Sequence, residues 1–162
     1  MTDVLATRIA QPDLVDLPDW QVAAILNAPD PAFGLVTVPV PVADARQVLM
    51  SSLTPDLSTT AWVAILLVSD DGANTARKAA IAIREAILRA TVINMNDPME
   101  AGMVMATLSA LIDSNIITEE TRDRLLALSQ KEQSWAEARG VTVTEDIIFT
   151  ARGRPRVVGG GD

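Results

Sequence analysis

The chain has 162 residues and contains no His, Cys or Tyr. This removes Ser-His and Cys-His nucleophile pairs, thiol redox couples, and His/Cys zinc or haem sites. Its net charge of −8 and 3% aromatic content argue against direct nucleic-acid binding, because the field repels a polyanion and too few rings remain to stack bases.

The core must be aliphatic, with Trp20, Trp62 and Trp135 as the expected large anchors. The charge is uneven: residues 1–75 carry nine acids against Arg8 and Arg46, while 76–162 carry twelve acids and eleven bases. That asymmetry suits head-to-tail contact between copies, or simply an acidic surface that aids solubility. The start lacks the basic and then apolar regions of a signal peptide. The longest apolar run, Ala61 to Val68, is too short for a membrane span. Cytoplasmic synthesis and no membrane partner are expected.

In chain order, residues 1–15 read as an N-terminal arm, because a short helix over Thr2 to Ala10 is stopped by Pro12. Asp16-Leu17-Pro18 predicts a capped helix that ends at Asn27 and Pro29. Prolines 29, 31, 39 and 41 make 28–41 an extended segment. Within it, Leu35 to Val38 is β-prone and restricted to an edge strand or arm. Val42 to Ser52 predicts a helix. Thr54 or Ser58 is the expected cap of the next one, a buried helix to about Ser69 with apolar residues on almost every side.

The clearest helix is predicted over Ala73 to Ala90, with Ala76, Ala79, Ala80, Ile83 and Ile87 on one stripe. Thr91 to Asn94 is β-prone and is expected to pair with Leu35–Val38. Asp97-Pro98 opens a helix to about Asp113, and Thr118 caps another to about Ser129. Lys131 to Arg139 is expected to continue or restart the helix, with Gly140 closing it. Thr142 and Glu145 sit at capping-box spacing before a last short helix. Residues 153–162 read as a flexible tail. The expected fold is mainly α: a helical domain of six to seven helices over 16–152, with one small two-stranded ribbon.

The acid pairs Asp70-Asp71, Glu119-Glu120 and Glu145-Asp146 lie at turns or helix starts, where capping and the helix dipole explain them. No catalytic, cofactor-binding or metal-ligating residue is assigned, and no cofactor or small-molecule substrate is expected. Met95, Met99, Met103 and Met105 are expected to fill gaps in the core, with an adaptable partner-binding surface as the alternative. Val36 and Val38, with the basic patch Arg152, Arg154 and Arg156, are candidate interface residues. The arginines are expected to meet an acidic protein surface, and the arms to order against neighbouring subunits.

The C-terminal half carries Asp97-Pro98, Leu108, Leu111, Asn115-Ile116-Ile117-Thr118, Arg122 and Leu125-Leu126-Ala127-Leu128. Ser134, Ala136-Glu137, Gly140, Val143-Thr144-Glu145-Asp146-Ile147 and Ala151-Arg152 follow, and Trp20 to Ala28 adds an upstream match. In this order the chain resembles a largely uncharacterised family of small helical proteins encoded among the virion structural genes of tailed bacteriophages. The resemblance spans about residues 18–152, with Pro29 to Thr60 poorly matched. It implies a non-enzymatic structural or accessory protein of capsid or tail, located in the virion. Its partners would be other virion proteins and copies of itself. The alternative is a soluble intracellular helical adaptor or regulator of a protein partner.

Overall fold

The structure, a computed structural model, describes residues 2–153. In chain order the elements are α1 (Thr2–Ile9), α2 (Asp19–Asn27), a 3-10 turn (Pro31–Phe33), β1 (Leu35–Thr37), β2 (Val40–Pro41), α3 (Val42–Ser51) and α4 (Ala61–Asp70). Then come α5 (Arg77–Arg89), β3 (Val92–Ile93), α6 (Pro98–Asp113), α7 (Glu119–Ala127), β4 (Gln130–Glu132), α8 (Trp135–Ala138) and α9 (Glu145–Ala151). The molecule is mainly α, as expected. Within 16–152 the described residues form eight α-helices, α2 to α9, where six to seven were expected, and the predicted 131–139 helix is the strand β4 followed by the short α8.

Two ribbons are present rather than one, β1 with β4 and β2 with β3. Val40 pairs with Ile93 and Pro41 with Val92, antiparallel. The β-prone segment near 92 therefore pairs two residues beyond Leu35–Val38, whose partner is instead the polar strand Gln130–Glu132. Pro41 is tolerated because it sits at a strand end that leads directly into α3.

The chain divides into two compact units instead of a single domain with an arm. One comprises residues through Val36 together with those from Glu132 onward. Its core contains Leu5, Ile9, Leu14, Val22, Leu26, Trp135, Val143 and Ile148. The expected N-terminal arm is thus a folded part of this unit. Pro12 stops α1 as anticipated, but Leu5 and Ile9 lie one turn apart on its inner face, and Leu14 follows them into the core. Burying a side chain of this size contributes about 1.5–3 kcal/mol, enough to hold so short a helix in place. Asn27 Nδ2 donates to the Val143 carbonyl at 2.8 Å, joining the end of α2 to the segment before α9.

The other unit is Thr37–Lys131. Its core takes Val42, Ala45 and Leu49 from α3, Ala61, Trp62 and Ile65 from α4, Ala80, Ile83 and Ile87 from α5, and Leu108 and Leu111 from α6. The α5 stripe is the one predicted from its period. The helix itself starts later, at Arg77, because the Asn74 side chain accepts from Ala76 N and holds a turn there. A residual cavity of about 40 Å³ lies among Leu49, Ile83, Ile87, Met95, Val104 and Leu108.

Local signals set most helix ends. Asp97 caps α6 by accepting from Met99 N and Glu100 N, and Thr118 caps α7. Ser134 and Glu137 form a reciprocal capping box on α8. Two expected caps are displaced: Thr60 rather than Thr54 or Ser58 caps α4, and Thr144 rather than Thr142 caps α9. Asp16 does not cap α2, whose preceding residue is Pro18 with no side-chain bond. Helix α6 ends on Asn115 at φ 59, with Asn115 N donating to Ile112 O and Ile116 N to Leu111 O. This is the left-handed stop that Asn tolerates. Gly140, at φ 63, closes α8 in the same way.

Candidate interaction sites

Val36 lies half-buried in β1, and Val38 is half-buried just after it. Val38 N donates to the Ser129 carbonyl at 2.7 Å, so this stretch is engaged by the chain's own later segment. Arg152 is no part of an exposed basic patch. Its Nη1 donates to Asp19 Oδ1 and to the Leu17 carbonyl at 2.8 Å, and its Nη2 to the Leu14 carbonyl at 2.9 Å. The reason is its position at the C-terminal end of α9, where the guanidinium meets the carbonyls of the turn that joins α1 to α2. Arg154 and Arg156 lie outside the described residues, as does nearly all of the expected tail.

Three other expectations change. Trp62 and Trp135 are buried anchors, but Trp20 is 61% exposed, because α2 turns Val22 and Leu26 inward instead. Met95 packs against the core of the second unit as a gap-filler. Met99, Met103 and Met105 face solvent, the first two 74% and 63% exposed. Along α6 the outward positions from Met99 to Ser109 also include Gly102 and Ala106, and none is charged. The one acid in that stretch, Glu100, turns back to accept from Asn94 N at 3.0 Å. An exposed helix face of about three turns without a charge is unusual in an acidic chain, and thioether side chains adapt to varied partners.

A second feature lies between α3, the 53–60 loop and the start of α7. A Leu53–Thr60 bridge closes the loop, and Thr54 N donates to Thr59 O. Asp56 Oδ1 accepts from Thr54 Oγ1 at 2.6 Å, from Ser58 Oγ at 2.8 Å and from Ser58 N at 3.1 Å. These bonds, Thr54's first, hold its carboxyl below the usual carboxylate range. Pro55 and Asp56 form a turn closed by Leu57 N to Thr54 O. Leu57 then takes φ 59 and is 70% exposed. Gly or Asn ordinarily occupies such a position, and a leucine there costs about 1–2 kcal/mol.

Beside this loop is a cleft of about 300 Å³, lined by Ser51, Leu53, Leu57, Thr118, Glu120 and Arg124 among others. Arg124 Nη1 donates to Ser52 Oγ and Nη2 to Ser51 Oγ, each at 3.0 Å. Both hydroxyls donate onward to the Val48 carbonyl, capping the end of α3. Sequence reasoning missed this cleft. The strained Leu57 has no composition signal, and Arg124 meets Ser51 and Ser52 across 73 and 72 residues of chain.

Among the described residues no three acidic side chains converge closely enough to hold a metal, and no helix is long and apolar enough to cross a membrane. Apart from Asp56, a clear shift belongs to Asp13, lowered by the Arg8 guanidinium bonded to it, and to Arg122, raised by Asp123. Both belong to surface ion pairs, Arg8 with Asp13 and Arg122 with Asp123. No protein-family model matches the chain, and no curated protein or solved structure is significantly similar to it.

Proposed function

We propose that the chain is a non-enzymatic structural or accessory component of a tailed-phage virion, in capsid or tail, acting through contacts with other virion proteins and with its own copies. The family resemblance over residues 18–152 supports the virion setting. The observation that carries the contact role is the uncharged outward face of α6, where Met99 and Met103 present a soft apolar surface in an otherwise acidic molecule. Exposed Trp20, Leu35 and Leu67 add apolar contact points on other elements.

Quantitative mass spectrometry of purified particles tests the proposal. The expected result is a constant copy number per particle that fits the symmetry of head or tail. Recovery solely from the soluble fraction of infected cells would defeat the virion reading and favour an intracellular adaptor.

A further inference from the structure

We propose that the cleft between the 53–60 loop and α7 is a recognition site for an acidic peptide segment of a partner protein. One carboxylate sits on the Arg124 guanidinium, and the apolar side chain beside it lies against Leu53 and Leu57. The inference stands apart from the virion reading, since it requires only a protein partner.

The guanidinium is oriented before any ligand arrives. Ser51 and Ser52 give their own protons to Val48 O, so they meet Arg124 as acceptors and fix its plane. A guanidinium has five N–H donors in a rigid fork, and these two bonds leave the Nε side of the fork unclaimed. Among the described residues no carboxylate forms an ion pair with Arg124, although acids outnumber bases in the chain. Such an edge matches the two oxygens of a carboxylate.

The rest of the lining selects the kind of anion. Glu120 sits in the same cleft, so one positive charge is partly opposed. A singly charged carboxylate is therefore favoured over a phosphate dianion. Thr118, half-buried at the start of α7, brings one hydroxyl to the cleft wall, where the buried Thr121 hydroxyl 2.9 Å away holds it in place. Leu53 and Leu57 form an apolar lip that a free inorganic anion cannot use. The Asp56 network keeps Leu57 in its strained pose, and strain of this kind clusters at binding sites.

The test titrates the isotope-labelled full chain with the peptide acetyl-Leu-Glu-Leu-amide, following Arg124 Nε–H and the Leu57 amide by NMR. Saturable shifts at both groups are expected. The Gln peptide should bind at least about tenfold more weakly, the loss anticipated for a charge-assisted hydrogen bond. Glu120→Gln should bind the Glu peptide more tightly. Leu57→Gly should keep the fold and lose affinity, which separates a binding role for Leu57 from a structural one. Equal binding of Glu and Gln peptides overturns the proposal. So does inorganic phosphate binding more tightly than the peptide, or an unchanged affinity in both Leu57→Gly and Glu120→Gln.

Discussion

Arg152 and Asp19 form an ion pair across 133 residues of chain, with side chains only 10% and 8% exposed. The same guanidinium closes three further backbone carbonyls, those of Leu14, Val15 and Leu17. It thereby ties the end of α9 to the connection between α1 and α2. Removing one partner of a buried pair leaves the other charge uncompensated and costs about 3–5 kcal/mol. Arg152→Ala should fall at or above the low end of that range in urea denaturation. Arg152→Lys should recover only part of the loss, since an ammonium cannot reproduce the fork. A loss below about 0.5 kcal/mol, the level of ordinary surface changes, would show that the pair is not formed.

The three tryptophans should separate cleanly. Trp62 is buried in the core of its unit, with the Arg46 guanidinium 5.7 Å from its ring centre. Trp62→Ala is expected to cost about 3–5 kcal/mol. Trp20→Ala should change stability by no more than about 0.5 kcal/mol, as for other exposed positions. Trp20→Phe should remove the red-edge fluorescence of the folded protein and shift the remaining emission to the blue. Similar stability losses for Trp20→Ala and Trp62→Ala would contradict this arrangement.

What could be read from the sequence was local. Asp97 and Thr118 announce their helices because a cap bonds to N–H groups two or three residues away. The α5 stripe was legible because its apolar residues keep one helical period. Facing was not legible where a helix is apolar on several sides, which is why Trp20 and the α6 methionines point outward against expectation. Pairing was harder still: Gln130–Glu132 is polar and exposed throughout, so nothing in its pattern marks it as a strand partner. The Arg152 clamp, the folded N-terminal segment and the Arg124 cleft all depend on residues brought together by tertiary packing.

Asn115 offers a test of backbone strain apart from side-chain contacts. Its φ of 59 ends α6, and Ile116 then returns to the core beside Leu111. Asn115→Ala should lose about 1 kcal/mol, because a Cβ without a local polar partner is disfavoured in this region. Asn115→Gly should be close to neutral, easier geometry being offset by a more flexible unfolded chain. Thermal denaturation of both variants decides the matter, and equal losses would rule out a conformational cause.

The Asp56 network should make the 53–60 loop sensitive to acid. Its carboxyl is held low by Thr54 and Ser58, so the folded protein binds that proton less readily than the unfolded chain does. The stabilisation is therefore present above the ordinary carboxylate pKa and lost as the pH falls through the lowered value. Carboxyl-carbon NMR should place the Asp56 midpoint below that of a model aspartate. Amide protection at Ser58 and Thr59 should decline over the same pH interval, and Asp56→Ala should abolish that dependence. A midpoint at or above the ordinary value would refute the network.

The outward face of α6 should matter for assembly and not for folding. Met99 and Met103 lie one turn apart and are mostly exposed, so replacing both with lysine removes little buried area. The double variant Met99→Lys, Met103→Lys should keep its denaturation midpoint, each change contributing no more than about 0.5 kcal/mol. Two ammonium groups in an apolar contact would each need desolvation without a partner. Incorporation into particles should therefore fall sharply while the soluble protein accumulates normally. Mass spectrometry of particles from cells making both forms compares them internally. Equal incorporation of variant and parent would remove α6 from the contact surface. A large loss of stability would instead mean that the methionines support the fold.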